Sequence, residues 1–211
     1  MDIDSDYLID LAVKALGDSE KWKPNYNKEG IMVSSGYLHF SPIKAYRSEV
    51  ELEGSVEDVA TFIADEMVER LPDWNREFEN GHVIEKLEDG GKQIAWLVRV
   101  RYKTPPPLKN REYLYYLVRR NLSDGSVVIV YNSVVDERYP ESEGYVRAAL
   151  YPTVHLCVPL GEKRTFLKHI LANDLCGRFS PWLQNNLLSG SLVSANVRDS
   201  KNQRVIFKSD K

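Results

Sequence analysis

Cysteine is nearly missing from this chain: there are two in 211 residues, Cys157 and Cys176. Two cannot make a disulfide framework, and no Cys-x-x-Cys pairing marks a zinc site. Both are expected as free, buried thiols in a reducing compartment. No apolar run reaches the roughly 18 residues that a membrane-spanning helix needs. The acidic start, MDIDSDYLIDLAVKAL, lacks the basic end and apolar stretch of a signal peptide. A cytoplasmic chain, monomeric by default, is the expectation. Positive charge is not in excess either. The net charge of −3 and pI near 5.9 argue against a nucleic-acid partner. His82 and His155 fall in strand patterns with no second ligand at metal spacing, so each reads as a packed sheet histidine. His39 and His169 carry no signal. No cofactor, metal ion or catalytic group is expected, and the chain reads as non-enzymatic.

What is present is ordinary for a globular protein, 43% hydrophobic and 28% charged. The length suits one domain, residues 1–211, with a core over about 6–197. Tyr7, Leu8, Leu11, Ala12 and Ala15 recur at helical spacing over 4–16, and Gly17 follows as a stop. Residues 20–54 read as extended, with Tyr46, Val50 and Leu52 on one side. Ser55 and Asp58 form a capping box for the next helix, which Leu71-Pro72 ends. Two hairpins follow. Strands at 82–88 and 92–102 flank Asp89-Gly90-Gly91, and strands at 111–121 and 126–135 flank Asp124-Gly125. In the 92–102 strand, Ile94, Trp96, Val98 and Val100 share a face. The loop KTPPPLKN cannot donate ladder hydrogen bonds at three successive prolines, so it must leave the sheet. Strands at 144–158 and 164–174 complete the run. A last helix opens at Ser180-Pro181, with Phe179, Leu183 and Leu187 on one side. Antiparallel hairpins with helices at both ends of the sequence predict an α+β, helix-grip fold: a curved sheet wrapped on a long C-terminal helix around an internal cavity.

Several stretches carry a family resemblance. YPESEGYVRA supplies Pro140, Gly144, Tyr145, Arg147 and Ala148 at the spacing Pro-x-x-x-Gly-x-x-Arg-small. KNREYLYYLVRR supplies Arg111, Glu112 and Tyr113 at a strand start, and NDLCGRFSPWLQNNLL supplies an Asp-Leu-x-Gly before a helix. Trp74-Asn75 stands where a Trp-Asp is common. In their order these resemble a StAR-related lipid transfer (START) domain over roughly 6–197. The resemblance implies a carrier that encloses one lipid and moves it between membranes by transient contact with their surfaces.

The resemblance also suggests site residues. The choline-contacting aromatics of a phosphatidylcholine-carrying member fall on Trp96, Tyr113 and Tyr151, an arrangement suited to a quaternary ammonium. The arginine that meets the phosphate there falls near Leu71. The interior Glu/Arg pair of sterol carriers falls near Val98 and Leu117. Lipid contacts are therefore expected from Trp96, Val98, Tyr113, Tyr115, Leu117, Arg147, Tyr151 and His155. Arg147 has two readings: it meets a head group, or it pairs with a carboxylate, which is the commoner fate of such an arginine. Pro106 and Leu108 in the proline-rich loop, with Trp182, Leu183 and Leu187 in the last helix, are the expected gate and membrane contact. Phosphatidylcholine or a related phospholipid is the expected ligand, with a sterol as the alternative. A cyclase-like enzyme on the same scaffold, or a lipid-sensing module, are the rival functions.

Overall fold

Successive side chains of a strand point to opposite faces of its sheet, so each face of this molecule is built from every second residue. The computed structural model describes residues 4–17, 22–28, 31–73, 75–89 and 93–177, with the side chains of 26–28, 31, 87–89 and 93–94 left aside. Helix α1 (Ser5–Gly17) is followed by strands β1 (Lys23–Lys28), β2 (Ile31–Tyr37) and β3 (Lys44–Glu53). Helix α2 (Val56–Thr61) runs through a π-helical stretch (Phe62–Glu66) into α3 (Met67–Arg70). Then come β4 (Phe78–Asp89), β5 (Gln93–Tyr102), β6 (Asn110–Asn121) and β7 (Val127–Ser133). The chain continues through β8 (Tyr145–Arg147), β9 (Ala149–Leu150), β10 (Thr153–Pro159), β11 (Arg164–Leu171) and β12 (Asn173–Asp174).

Nine strands lie in the order β1-β2-β3-β11-β10-β7-β6-β5-β4, each antiparallel to its neighbours. β8 adds to β6 in parallel at Asn110–Glu112, beyond the stretch of β6 that β7 occupies. β9 and β12 form a separate two-stranded ribbon. The single strand expected at 144–158 is therefore three short ones. Pro152, whose ring leaves no N–H for a ladder, stands between β9 and β10.

The sheet buries both faces. One face gathers Tyr46, Val50, Leu52, Trp96, Val98, Val100, Tyr113, Tyr115, Leu117, Ile129, Tyr131, Cys157 and Leu167 with Val59, Ala60, Phe62, Ile63 and Val68 of the α2–α3 segment. The other packs Ala95, Val118, Val128, Val130, Val154 and Ile170 against Leu8, Ile9, Ala12 and Ala15 of α1 and against Trp22. The N-terminal helix is thus held by its Leu/Ile/Ala stripe. Tyr7 is the exception to its expected face, being 58% exposed.

The capping box forms as expected. Ser55 Oγ accepts from Asp58 N–H at 3.1 Å, and Asp58 Oδ2 accepts from Ser55 N–H at 3.1 Å. Among the described residues no helix is long and apolar enough to cross a membrane. The helix expected from Ser180 lies outside the described residues, as do Trp74 and the gate residues Trp182, Leu183 and Leu187.

Candidate functional site

The face shared with α2–α3 collects most of the expected lipid contacts. β5 and β6 pair so that Trp96 stands opposite Leu117, Val98 opposite Tyr115 and Val100 opposite Tyr113. All six are buried in one cluster. Tyr131 joins them from β7, opposite Leu117. This is a broad aromatic and aliphatic wall built from the every-second-residue pattern of three strands.

Polar groups on the wall are few, and most are engaged. Tyr113 donates its hydroxyl to Asn173 Oδ1 at 3.0 Å, and burial pushes its ionisation up. Tyr131 donates to the Ile63 carbonyl at 3.4 Å, fastening the sheet to the helical segment. Arg119 donates to Glu57 Oε2 at 2.6 Å and to Thr61 Oγ1 at 3.3 Å, with Asp65 3.9 Å away. Arg111 donates to the backbone carbonyls of Lys109, Leu175 and Cys176, closing the chain end of β12 onto the start of β6.

His155 faces the same side from β10, between Val154 and Leu156, which belong to the α1 side. It is 6% exposed. Its ring meets the edge of Tyr131, centroids 5.4 Å apart, and stacks on His169 of β11 at 4.0 Å with 7° between the planes. The two histidines are direct partners in the β10–β11 register. Burial, and then the neighbouring His169, pushes the His155 pKa well below the usual histidine range. Burial alone lowers His169 to about 4. Sequence reasoning missed His169. The available signal was hairpin register: Pro159 pairs with Thr165, and counting back four on one strand and forward four on the other brings His155 to His169.

Two expected contacts leave the wall. Arg147 donates from Nη2 to Glu112 Oε1 at 2.7 Å and to the carbonyls of Tyr139 and Pro140. Glu112 alternates with Tyr113 and so lies on the opposite face of β6. It is fully buried, and it also accepts from Arg101 Nε at 2.8 Å and from the Ser142 hydroxyl at 2.7 Å. Burial pushes its pKa up. The hydrogen bonds from Ser142, Arg101 and Arg147 outweigh that and hold it at about 2. The carboxylate-pairing reading of Arg147 is the one realised. Tyr151 packs with the partly buried residues of the α1-side cluster, because the break at Pro152 shifts its facing. The proline-rich loop is a tied turn. Thr104 donates from Oγ1 to the Lys109 carbonyl at 2.6 Å, and its N–H reaches Asn110 Oδ1 at 3.1 Å. Pro106 is exposed at its tip and Leu108 is half-buried.

This wall, the helical segment across it and the sheet order can be set beside known proteins. Residues 3–201 match the START domain. The chain belongs to the START domain family. Human StAR-related lipid transfer protein 5 superposes with a TM-score of 0.82 at 19% identity, over 97% of this chain and 94% of that one. Human STARD10 gives 0.80 at 18% identity, over 96% and 80%. The lipid transfer and protein localization domain of human StarD13 gives 0.70 at 22% identity, over 91% and 95%. These likenesses establish the START fold. By sequence, the chain is 27% identical over 151 residues to the Arabidopsis thaliana protein ENHANCED DISEASE RESISTANCE 2-like. That match takes in 70% of this chain and about a fifth (21%) of the relative's length.

Proposed function

We propose that this START domain binds one lipid against the β5–β6–β7 wall and carries it between membranes. The observation that carries this reading is the wall itself. Trp96, Val98, Val100, Tyr113, Tyr115, Leu117 and Tyr131 stand together on one side of the sheet in a single buried apolar and aromatic cluster with the α2–α3 segment. Covering an acyl chain or ring system there removes a cost of about 0.8 kcal/mol per CH₂ exposed to water. An enzyme would need a convergent polar cluster. The three groups that would supply one do not converge, since His155 is on the wall and the Arg147–Glu112 pair is on the other face. The exposed turn at Pro106, with the half-buried Leu108, is a membrane contact in this reading, together with the segment from Ser180 that the sequence predicts as helix.

For the head group, a specific observation favours the second of the two expected ligands. A choline cage needs free ring faces. Trp96 and Tyr113 share the wall but Tyr151 does not, and the Lys86 ammonium stands 5.7 Å over the Trp96 ring. The arginines on the wall, Arg111 and Arg119, are engaged with protein groups, which leaves a phosphodiester without either guanidinium. A neutral-headed lipid such as a sterol fits these side chains better than phosphatidylcholine.

The test is to extract the purified protein, identify retained lipid by mass spectrometry, and assay transfer between donor and acceptor vesicles. A retained neutral lipid that is also transferred is the expected result. Retained phosphatidylcholine would restore the choline reading. Neither retention nor transfer of any lipid class would end the carrier reading.

A further inference from the structure

Among the described residues, the wall carries one buried side-chain polar atom without a hydrogen-bond partner. His155 Nδ1 is buried with no hydrogen-bond partner. Its ring is held in place by the parallel face of His169 at 4.0 Å and the edge of Tyr131 at 5.4 Å. Ser48 lies beside His169 in the β3–β11 register, and Ile129 lies beside His155 in the β7–β10 register. The next residue in that row is Arg119, whose guanidinium is committed to Glu57, Thr61 and Asp65. A buried polar atom left unpaired is costly and calls for a partner. We propose that His155, oriented by His169, is the hydrogen-bonding subsite for an uncharged hydroxyl on the bound lipid.

The chemistry selects the class of group. Both imidazoles are buried, which keeps them neutral at physiological pH. A neutral imidazole has one donor and one acceptor nitrogen. A hydroxyl, which also donates and accepts, suits whichever role Nδ1 takes. A phosphate or carboxylate would meet no positive charge there, with Arg119 already engaged, and would lose its hydration uncompensated. The surrounding Ile129, Cys157, Leu167 and Tyr131 offer apolar contact to the rest of such a ligand. Stacking on His169 fixes the plane in which Nδ1 points, which makes His169 a positioning residue for the contact.

This inference rests on the reading that the wall holds a lipid, and the experiment separates the two. Purified protein is equilibrated with vesicles containing either a radiolabelled sterol or the deoxy hydrocarbon of the same skeleton. The wild type is expected to take up the sterol about five- to tenfold better, the value of one buried hydrogen bond. His155→Phe keeps the ring and loses the nitrogens. It is expected to bring the ratio of sterol to hydrocarbon uptake down to about one, whatever the level of uptake overall. A wild type with no preference, or a variant that keeps it, overturns the subsite while leaving the carrier intact. Uptake of neither ligand, nor of any other lipid, removes the carrier reading and the subsite with it. A second measurement does not depend on the variant folding. In ¹⁵N-histidine-labelled wild type, the His155 Nδ1 resonance is expected to shift on sterol binding and not on hydrocarbon binding, and an identical response to both overturns the proposal.

Discussion

Glu112 and Arg147 meet at 2.7 Å across the only parallel pairing in the described sheet, that of β6 with β8. The carboxylate has no solvent exposure, while the Arg147 side chain keeps 20% and Arg101 21%. One buried charge therefore anchors β5, β8 and the turn at Ser142.

Glu112→Ala should cost about 3 kcal/mol. That is the low end for removing one member of a buried ion pair, because both arginines keep some access to water. For a domain of this size the melting temperature should fall on the order of 10 °C. Urea denaturation measures it directly. A loss under about 1 kcal/mol would mean that the arginines re-solvate freely and that the pairing is not an anchor.

The histidine pair should make stability depend on pH in a definite window. His169 is lowered to about 4, and His155 lies well below its usual range. Between about pH 6.5 and 4 the unfolded chain binds protons that the folded chain refuses. Their contribution is complete above about 6.5 and is lost as the pH falls. Each histidine adds a slope of up to about 1.4 kcal/mol per pH unit. Glu112 acts lower: it is held at about 2 against an ordinary 4.5, so its contribution is complete above about 4.5 and is lost toward 2. Replacing both His155 and His169 with Phe should flatten the upper limb and leave the lower one. An unchanged slope between pH 4 and 6.5 would contradict the burial assigned to the pair.

Trp96 is the largest side chain on the wall, and it has Lys86 above it and Leu117 beside it. Trp96→Ala should cost about 3–5 kcal/mol of stability as a core truncation. It should also weaken lipid uptake several-fold at temperatures where the fold persists. Trp96→Phe, which keeps an aromatic face, should restore most of both. Vesicle transfer assays on the two variants decide this. Equal transfer by Trp96→Ala and wild type would move the ligand away from β5.

Some of this was legible in the residues, for physical reasons. The wall could be read because strand periodicity is local: Trp96, Val98 and Val100 announce a common face within five residues. The capping box at Ser55 and Asp58 is equally local. The relationships that failed to show are those set by register between distant segments. Arg147 declares by its cost that it needs a carboxylate, but nothing nearby says that the partner is 35 residues upstream. His169 looked silent because its partner is fixed only when β10 and β11 zip from the turn after Pro159. Tyr151 was expected on the wall because the chain from Tyr145 to Pro159 is rich in β-forming residues and only Pro152 marks a break in it. Where it breaks into β8, β9 and β10 is decided by which edges of β6, β12 and β7 are open to receive it.

Tyr113 links the wall to the end of the sheet through a single buried hydrogen bond. Its hydroxyl donates to Asn173 Oδ1 at 3.0 Å, and Asn173 opens β12, which pairs with β9. Arg111, two residues away on the same face of β6, holds the carbonyls of Leu175 and Cys176 just beyond. β6 therefore grips the chain after β11 at two successive wall positions. Tyr113→Phe removes one grip, leaves the Asn173 side chain buried without its donor, and should cost about 1–3 kcal/mol. The loss should be local as well as global. Amide exchange at Asn173 and Asp174 should accelerate by more than the change in overall stability accounts for, while amides in the centre of β6 follow the global change. If Asn173 exchanges no faster than the centre of β6 in the variant, Arg111 and the pairing with β9 hold β12 without the tyrosine, and its hydroxyl becomes a free contact for ligand.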